Sequence, residues 1–203
     1  MRAVRSFVGR RGGPVELAWV MAILVAAPAV MAAPHQFSSS DGGYAVTFPA
    51  MPQEQVTQEN NARTVLNALN HDNGYYAVVH VDHAFDVKTD DELEENITRF
   101  SKQIRAPTQL RRKRKFTKGP GEQLPAEEFT FESDELVGKG VVVVEGQRTY
   151  MAVAFGLKPH NRKVAVDRFL ASFKFKAPAK AKDKTSQKDK KSPEAVEKSK
   201  PEP

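Results

Sequence analysis

The chain has 203 residues, no cysteine and a formal charge of +6, and this charge lies at its two ends. Residues 1–32 and 177–203 each carry +3, whereas residues 33–176 hold equal numbers of basic and acidic side chains. The neutral central part argues against nucleic-acid binding, and the lack of thiols excludes disulfides and cysteine nucleophiles.

Residues 1–32 have the pattern of a secretory signal peptide. Four arginines precede an apolar run over residues 17–27, and Val30 and Ala32 occupy the −3 and −1 positions of a cleavage site. The run is shorter than the roughly 20 residues that a membrane-spanning helix needs. We therefore predict cleavage after Ala32, no transmembrane segment in the mature chain, and a periplasmic or secreted location.

The first part of the mature chain predicts β-strands. Residues Tyr44–Phe48 alternate as in a half-buried strand. Residues 63–70 and 75–82 form a predicted hairpin around Asn73-Gly74, a dipeptide that favours two-residue hairpin turns. The predicted core face of this hairpin carries Leu66, Ala68, Tyr75, Ala77, Val79 and Val81.

The opposite face of the hairpin gathers titratable side chains. His80 and Asp82 lie about 7 Å apart there, a spacing that a metal ion with a third ligand could use. His71 is about 13 Å from His80, too far to share one ion, and His83 faces the other side. We therefore favour a polar, partly solvated sheet face over a metal or catalytic site.

A helix is predicted to begin near Thr89 and to end before Pro107. Thr89 and Glu92 fit a capping box. Acidic side chains crowd the start of this helix and basic ones its end, as the helix dipole favours, so the acids need not be paired catalytic carboxylates. Its apolar residues recur at helical spacing, namely Leu93, Ile97, Phe100 and Ile104.

An uninterrupted basic run follows, formed by Arg111, Arg112, Lys113, Arg114 and Lys115. No face of this segment is cleanly apolar, which indicates an edge strand, where cations discourage pairing with other chains. Two interpretations stay open. Either the run lies against the acidic segment 126–135 and the charges compensate, or the five side chains bind an anionic surface.

Two runs rich in β-branched and aromatic residues, 141–144 and 150–155, predict a buried hairpin. A type II′ turn starting at Gly146 would place Glu145 opposite Arg148. Because both runs are continuously apolar, we expect this hairpin in the middle of a sheet that is covered on both faces. A last helix has an apolar stripe formed by Val164, Val166, Phe169, Leu170 and Phe173.

Four segments between residues 36 and 176 resemble exported PsbP-like bacterial proteins. They are Asp41-Gly-Gly-Tyr-Ala-Val-Thr-Phe-Pro49, Gly121-x-x-Leu-Pro-Ala-Glu-Glu128, Gly146-Gln-Arg-Thr-Tyr150 and Arg168-Phe-Leu-Ala-Ser-Phe-Lys174. The resemblance implies an α+β fold, with an antiparallel sheet flanked by helices in an α/β/α sandwich. It also implies binding roles more readily than catalysis.

The sequence thus predicts one domain over residues 33–176, followed by a lysine-rich tail, 177–203, with too few apolar residues to fold. We expect an exported, non-enzymatic binding or assembly protein without metal or cofactor. Its partner would be an envelope protein or an anionic surface, peptidoglycan or lipid, and the tail alone could also anchor it there. The alternative is an envelope hydrolase or metal-dependent enzyme that uses His80 and Asp82, although no nucleophile motif accompanies them.

Overall fold

A computed structural model describes residues 33–59, 61–158 and 163–176 of the chain. The predicted signal peptide and the predicted disordered tail lie outside these residues. The described strands are β1 (His35–Ser39), β2 (Tyr44–Phe48), β3 (Gln53–Glu59), β4 (Ala62–His71), β5 (Gly74–His83), β6 (Thr108–Gly119), β7 (Glu122–Glu132), β8 (Leu136–Glu145), β9 (Arg148–Leu157) and β10 (Lys174–Phe175). The helices are α1 (Thr89–Ile104) and α2 (Lys163–Ser172).

The strands form two antiparallel sheets, and the fold is therefore α+β with a dominant β component. The large sheet has seven strands in the order β3-β4-β5-β9-β8-β7-β6. The small sheet has three strands in the order β1-β2-β10, so it joins the two ends of the described chain. Within the described part of the chain, neither helix is long and apolar enough to cross a membrane.

Both faces of the large sheet are covered, and each covering creates its own core. Helix α1 packs on one face and buries a cluster centred on Phe100, Phe129 and Phe131. Helix α2 and the small sheet pack on the other face, where Tyr44, Tyr150 and other large side chains meet. Burial on both faces explains why the central strands read as continuous apolar runs rather than as alternating ones.

The β8–β9 hairpin occupies the middle of the large sheet, as the sequence predicts. Glu145 lies opposite Arg148, and Gly146 has a φ of +57°, as the first central residue of a type II′ turn requires. Glycine adopts this backbone conformation without the strain that a Cβ atom would add.

The β4–β5 hairpin turns one residue earlier than predicted. Asp72 and Asn73, rather than Asn73 and Gly74, adopt positive φ angles of 50° and 60°, and His71 pairs with Gly74. Asparagine and aspartate tolerate this conformation better than most residues. Because the turn lies one residue earlier, each residue of β4 pairs with a residue of β5 two positions away from the predicted one. A shift by two leaves every side chain on its predicted face.

Helix α1 has the predicted extent but not the predicted cap. Lys88 occupies the N-cap position and makes no side-chain capping bond, while Thr89 is already helical. The carboxylate of Glu92 instead receives hydrogen bonds from Asn96 and Thr149. The predicted capping box is therefore wrong, because the Glu92 side chain contacts the sheet rather than the start of its own helix.

Candidate functional site

The basic run lies on β6, which is an end strand of the large sheet. All five cations, Arg111 to Lys115, are exposed. This confirms the predicted edge strand and places a row of positive side chains along a free sheet edge. Their pairing with acidic groups decides how much of this charge is available to a ligand.

Two of the cations on the α1 side of the sheet, Arg111 and Lys113, are neutralised. Arg111 donates from Nε and Nη2 to the two carboxylate oxygens of Glu127, at 2.5 and 3.1 Å, and its Nη1 lies 3.0 Å from Glu94. Lys113 Nζ lies 2.9 Å from Asp90. The hydrogen bond to Glu127 raises the pKa of Arg111, and the one to Asp90 raises the pKa of Lys113. The acidic residues at the start of α1 thus neutralise cations of β6, and they also interact favourably with the positive end of the helix dipole.

On the opposite side of the sheet, Arg114 forms an ion pair with Glu128 and also lies 4.9 Å from the ring centroid of Phe116. Glu132, which we expected to face the basic run, pairs instead with Lys158 at 2.8 Å. Only part of the predicted acidic strand therefore faces the cations.

Arg112 and Lys115 make no ion pair with any residue in the described ranges. They lie on opposite faces of the strand because they are three residues apart. Leu110, next to the basic run, is also exposed. Neighbouring acids thus compensate three cations of the basic run, Arg111, Lys113 and Arg114. Arg112 and Lys115 keep an uncompensated charge.

His80 does not lie on a solvated sheet face, and this prediction is wrong. The imidazole is completely buried, with its ring centroid 6.0 Å from that of Tyr44 and 6.1 Å from that of Tyr150. The turn after β1 covers it so closely that a Cβ atom on Gly42 would lie 3.0 Å from Nδ1. Neither ring nitrogen has a hydrogen-bond partner among the described residues. Burial lowers the pKa of His80, so the ring is neutral at physiological pH.

Asp82 is held by two arginines rather than facing an open site. Arg148 donates from Nε to Asp82, and Arg63 lies 3.5 Å from the same carboxylate. Arg63 also pairs with Asp41 at 2.5 Å and thereby lowers the pKa of Asp41. Arg148 donates a further bond of 2.9 Å to the Asp41 carbonyl oxygen. These ion pairs fasten the turn between β1 and β2 to the large sheet.

His80 and Asp82 therefore do not form the accessible pair that metal binding or hydrolysis would require. No three His, Cys, Asp or Glu side chains of the described residues are arranged to hold a metal ion. His71 is farther from His80 than predicted, since His80 pairs with Val65 in the corrected register and His71 lies six positions beyond it, about 20 Å away.

A polar cluster that the sequence did not predict joins α1 to the large sheet. Glu92 Oε1 lies 3.4 Å from His83 Nε2, accepts a bond of 3.1 Å from Thr149 and another of 2.7 Å from Asn96. Although desolvation opposes it, this set of donors lowers the pKa of Glu92. His83 uses the same nitrogen toward Glu92 and Thr149, so it cannot pass a proton between them as a catalytic triad does. The cluster positions the helix.

No family model matches this chain in a scan of protein families, and no curated protein matches it either.

Proposed function

We propose that this chain is an exported, non-enzymatic binding or assembly protein of the bacterial envelope, with a PsbP-like α/β/α sandwich that contacts an anionic surface through β6. The observation that carries the proposal is the pair of exposed cations, Arg112 and Lys115, which form no ion pair with a residue in the described part of the chain. Glu128 lies opposite Arg112 in the β6–β7 register but pairs with Arg114. Both lie on a free sheet edge. A ligand can reach them without disturbing either core.

The layered architecture supports the family part of the proposal. An antiparallel sheet lies between α1 on one face and α2 with the small sheet on the other, as the resemblance implies. The signal-like sequence of residues 1–32 supports the location. We place the binding site on the surface rather than at His80 and Asp82. His80 is buried, and Asp82 is already bound by Arg148 and Arg63.

The expected interaction is weak and sensitive to salt. A basic side chain near an anionic membrane contributes about 1 kcal/mol. Two unpaired cations therefore give an affinity that needs additional contacts or several copies to become tight. Screening acts over about 8 Å at physiological ionic strength, so binding should decrease as salt rises.

Co-sedimentation of the protein with anionic vesicles, zwitterionic vesicles and isolated peptidoglycan tests the proposal. We expect binding to an anionic material at low salt, and loss of most of it in the double variant Arg112→Gln/Lys115→Gln. The matched control is Arg168→Gln/Lys174→Gln, which removes the same two charge types from exposed positions on α2 and β10. Equal losses in both variants would show that only net charge matters, and unchanged binding in both would remove β6 from the proposal.

A further inference from the structure

The other edge of the large sheet, β3, is exposed along its whole length. All seven residues, Gln53–Glu59, are exposed, so neither helix and no other described segment covers either face of the strand. Edge strands usually carry charged side chains, above all lysine, or a proline or bulge that discourages pairing with other chains. The sequence Gln-Glu-Gln-Val-Thr-Gln-Glu has only Glu54 and Glu59 as charged residues and no lysine, arginine or proline, and its pairing with β4 is regular. The strand is thus open in a way that the cationic β6 is not.

The register of β3 indicates which backbone groups are free. Glu59 pairs with Ala62 across a two-residue connection, and such a connection closes on a hydrogen-bonded pair. Because the direction of the backbone groups alternates along a strand, those of Gln58, Val56 and Glu54 then point away from β4. These three residues can form a ladder with another strand.

The strand is complementary to itself in the antiparallel direction. If two copies pair about Val56, each Val56 faces its counterpart and Glu54 faces Gln58 of the other copy. Like charges then never stand directly opposite each other, and the carboxylate meets an amide that can donate to it. The exposed Val56 side chain, with 51% of its surface accessible, loses water contact at the two-fold axis.

We propose that β3 is a homodimer interface, in which two copies pair their β3 strands in antiparallel orientation about Val56. The occupant is a second copy because the pairing is self-complementary and the two-fold symmetry closes the assembly. Pairing of β3 with β6 of another copy is the main competitor, since Glu54 and Glu59 could meet the β6 cations. Such a contact joins two different surfaces and would lead to rings or open chains rather than to a two-fold dimer. In the two-fold dimer, the two large sheets become continuous and each β6 lies at an outer end.

Sedimentation velocity on the protein recovered from cells that express the complete sequence tests this inference. Because only one pair of seven-residue strands forms the contact, we expect less buried area than the standard of about 1,600 Å² and a reversible monomer–dimer equilibrium between roughly 10 μM and 1 mM. Val56→Lys places like charges opposite each other at the axis, and Val56→Pro removes the outward N–H while leaving the β4 side of the strand intact. Each variant should raise the dimer dissociation constant at least about tenfold.

The control variant Leu110→Lys adds the same charge to the opposite edge and should leave the dimer unchanged. Melting curves of all variants at low concentration must match that of the wild type, which separates lost association from lost folding. A wild type that stays monomeric at the highest concentration, or a dimer that Val56→Lys leaves intact, would overturn the inference. Association that is lost instead in Arg112→Gln/Lys115→Gln would place the contact at β6 and would also overturn it.

Discussion

His80 is the residue whose structural position differs most from the one its sequence neighbourhood suggests. It lies two residues before Asp82 on a strand face that the sequence predicts to be partly solvated, yet it is fully buried and its ring nitrogens lack partners in the described chain. A buried polar group without a partner costs about 1–3 kcal/mol of stability. The stability of the packing between the small sheet and the large sheet should therefore depend on the protonation state of His80.

We predict that His80→Leu raises the free energy of unfolding at pH 7.5 by about 1–3 kcal/mol, because leucine has a similar volume and no polar atoms to desolvate. By contrast, His80→Ala should lower it by leaving a cavity beside Tyr44 and Tyr150. Urea denaturation of the three proteins measures both effects. A leucine variant that is less stable than the wild type would show that the imidazole has a partner.

The pH dependence of the same variant follows from the lowered pKa of His80. Below the ordinary value of 6.5, the unfolded chain takes up a proton before the folded one does. Stability should therefore be fully present above about pH 6.5 and decline as the pH falls, by at most about 1.4 kcal/mol per pH unit. His80→Leu should lack this part of the decline. Parallel pH profiles for both proteins between pH 7.5 and 5 would contradict the prediction.

At the level of elements, the β6–β7 pair combines one ion pair whose carboxylate is buried with others that are exposed. Glu127 is only 5% exposed, and Arg111 supplies both of its hydrogen bonds. Arg111→Gln would leave this carboxylate without its charged partner, and we expect a loss of about 1–3 kcal/mol. Lys113→Gln removes an exposed pair and should have little effect on the melting temperature. If the two variants melt alike, the Arg111–Glu127 pair does not contribute to stability.

The contact of β7 with β8 depends on glycines beneath aromatic rings. A Cβ atom on Gly140 would lie 2.4 Å from the Phe129 ring, and one on Gly138 would lie 2.5 Å from Phe131 and 2.7 Å from the Ala154 carbonyl oxygen. We expect Gly140→Ala to cost about 1–3 kcal/mol through overpacking. Gly138→Ala should cost more, because a backbone atom cannot move aside as a ring can. The reverse order in thermal melts would show that the rings, not the backbone, limit the space.

Local patterns in the sequence predicted the elements whose cause is local. Continuous apolar character identified the β8–β9 hairpin, and Pro107 with a helical stripe identified the extent of α1. Strand β3 was missed because its exposed polar residues do not alternate. The burial of His80 was missed because the strands that cover it come from distant parts of the chain, as in the pairing of Lys174 with Ala45. The Glu92 cluster likewise depends on Thr149, 57 residues away.

At the level of the whole molecule, the small sheet joins the beginning of the domain to its end. Phe175 packs with its ring centroid 4.8 Å from that of Tyr150, and Lys176 donates from its backbone N–H to the Gly43 carbonyl oxygen at 2.8 Å. Truncation after Lys176 should therefore change the melting temperature by no more than a few degrees. Truncation after Phe173 removes β10 and should lower it markedly. A large effect of the first truncation would show that the tail contributes to the fold.

The proposed function requires that the free edge formed by β6 binds an anionic surface. Amide chemical shifts of the isotope-labelled protein, followed while anionic lipid nanodiscs are added at low salt, locate the contact directly. We expect shift changes concentrated in residues 109–115, reversed by salt and absent in Arg112→Gln/Lys115→Gln. Changes confined to another surface or to the lysine-rich tail, with β6 unaffected, would contradict the claim.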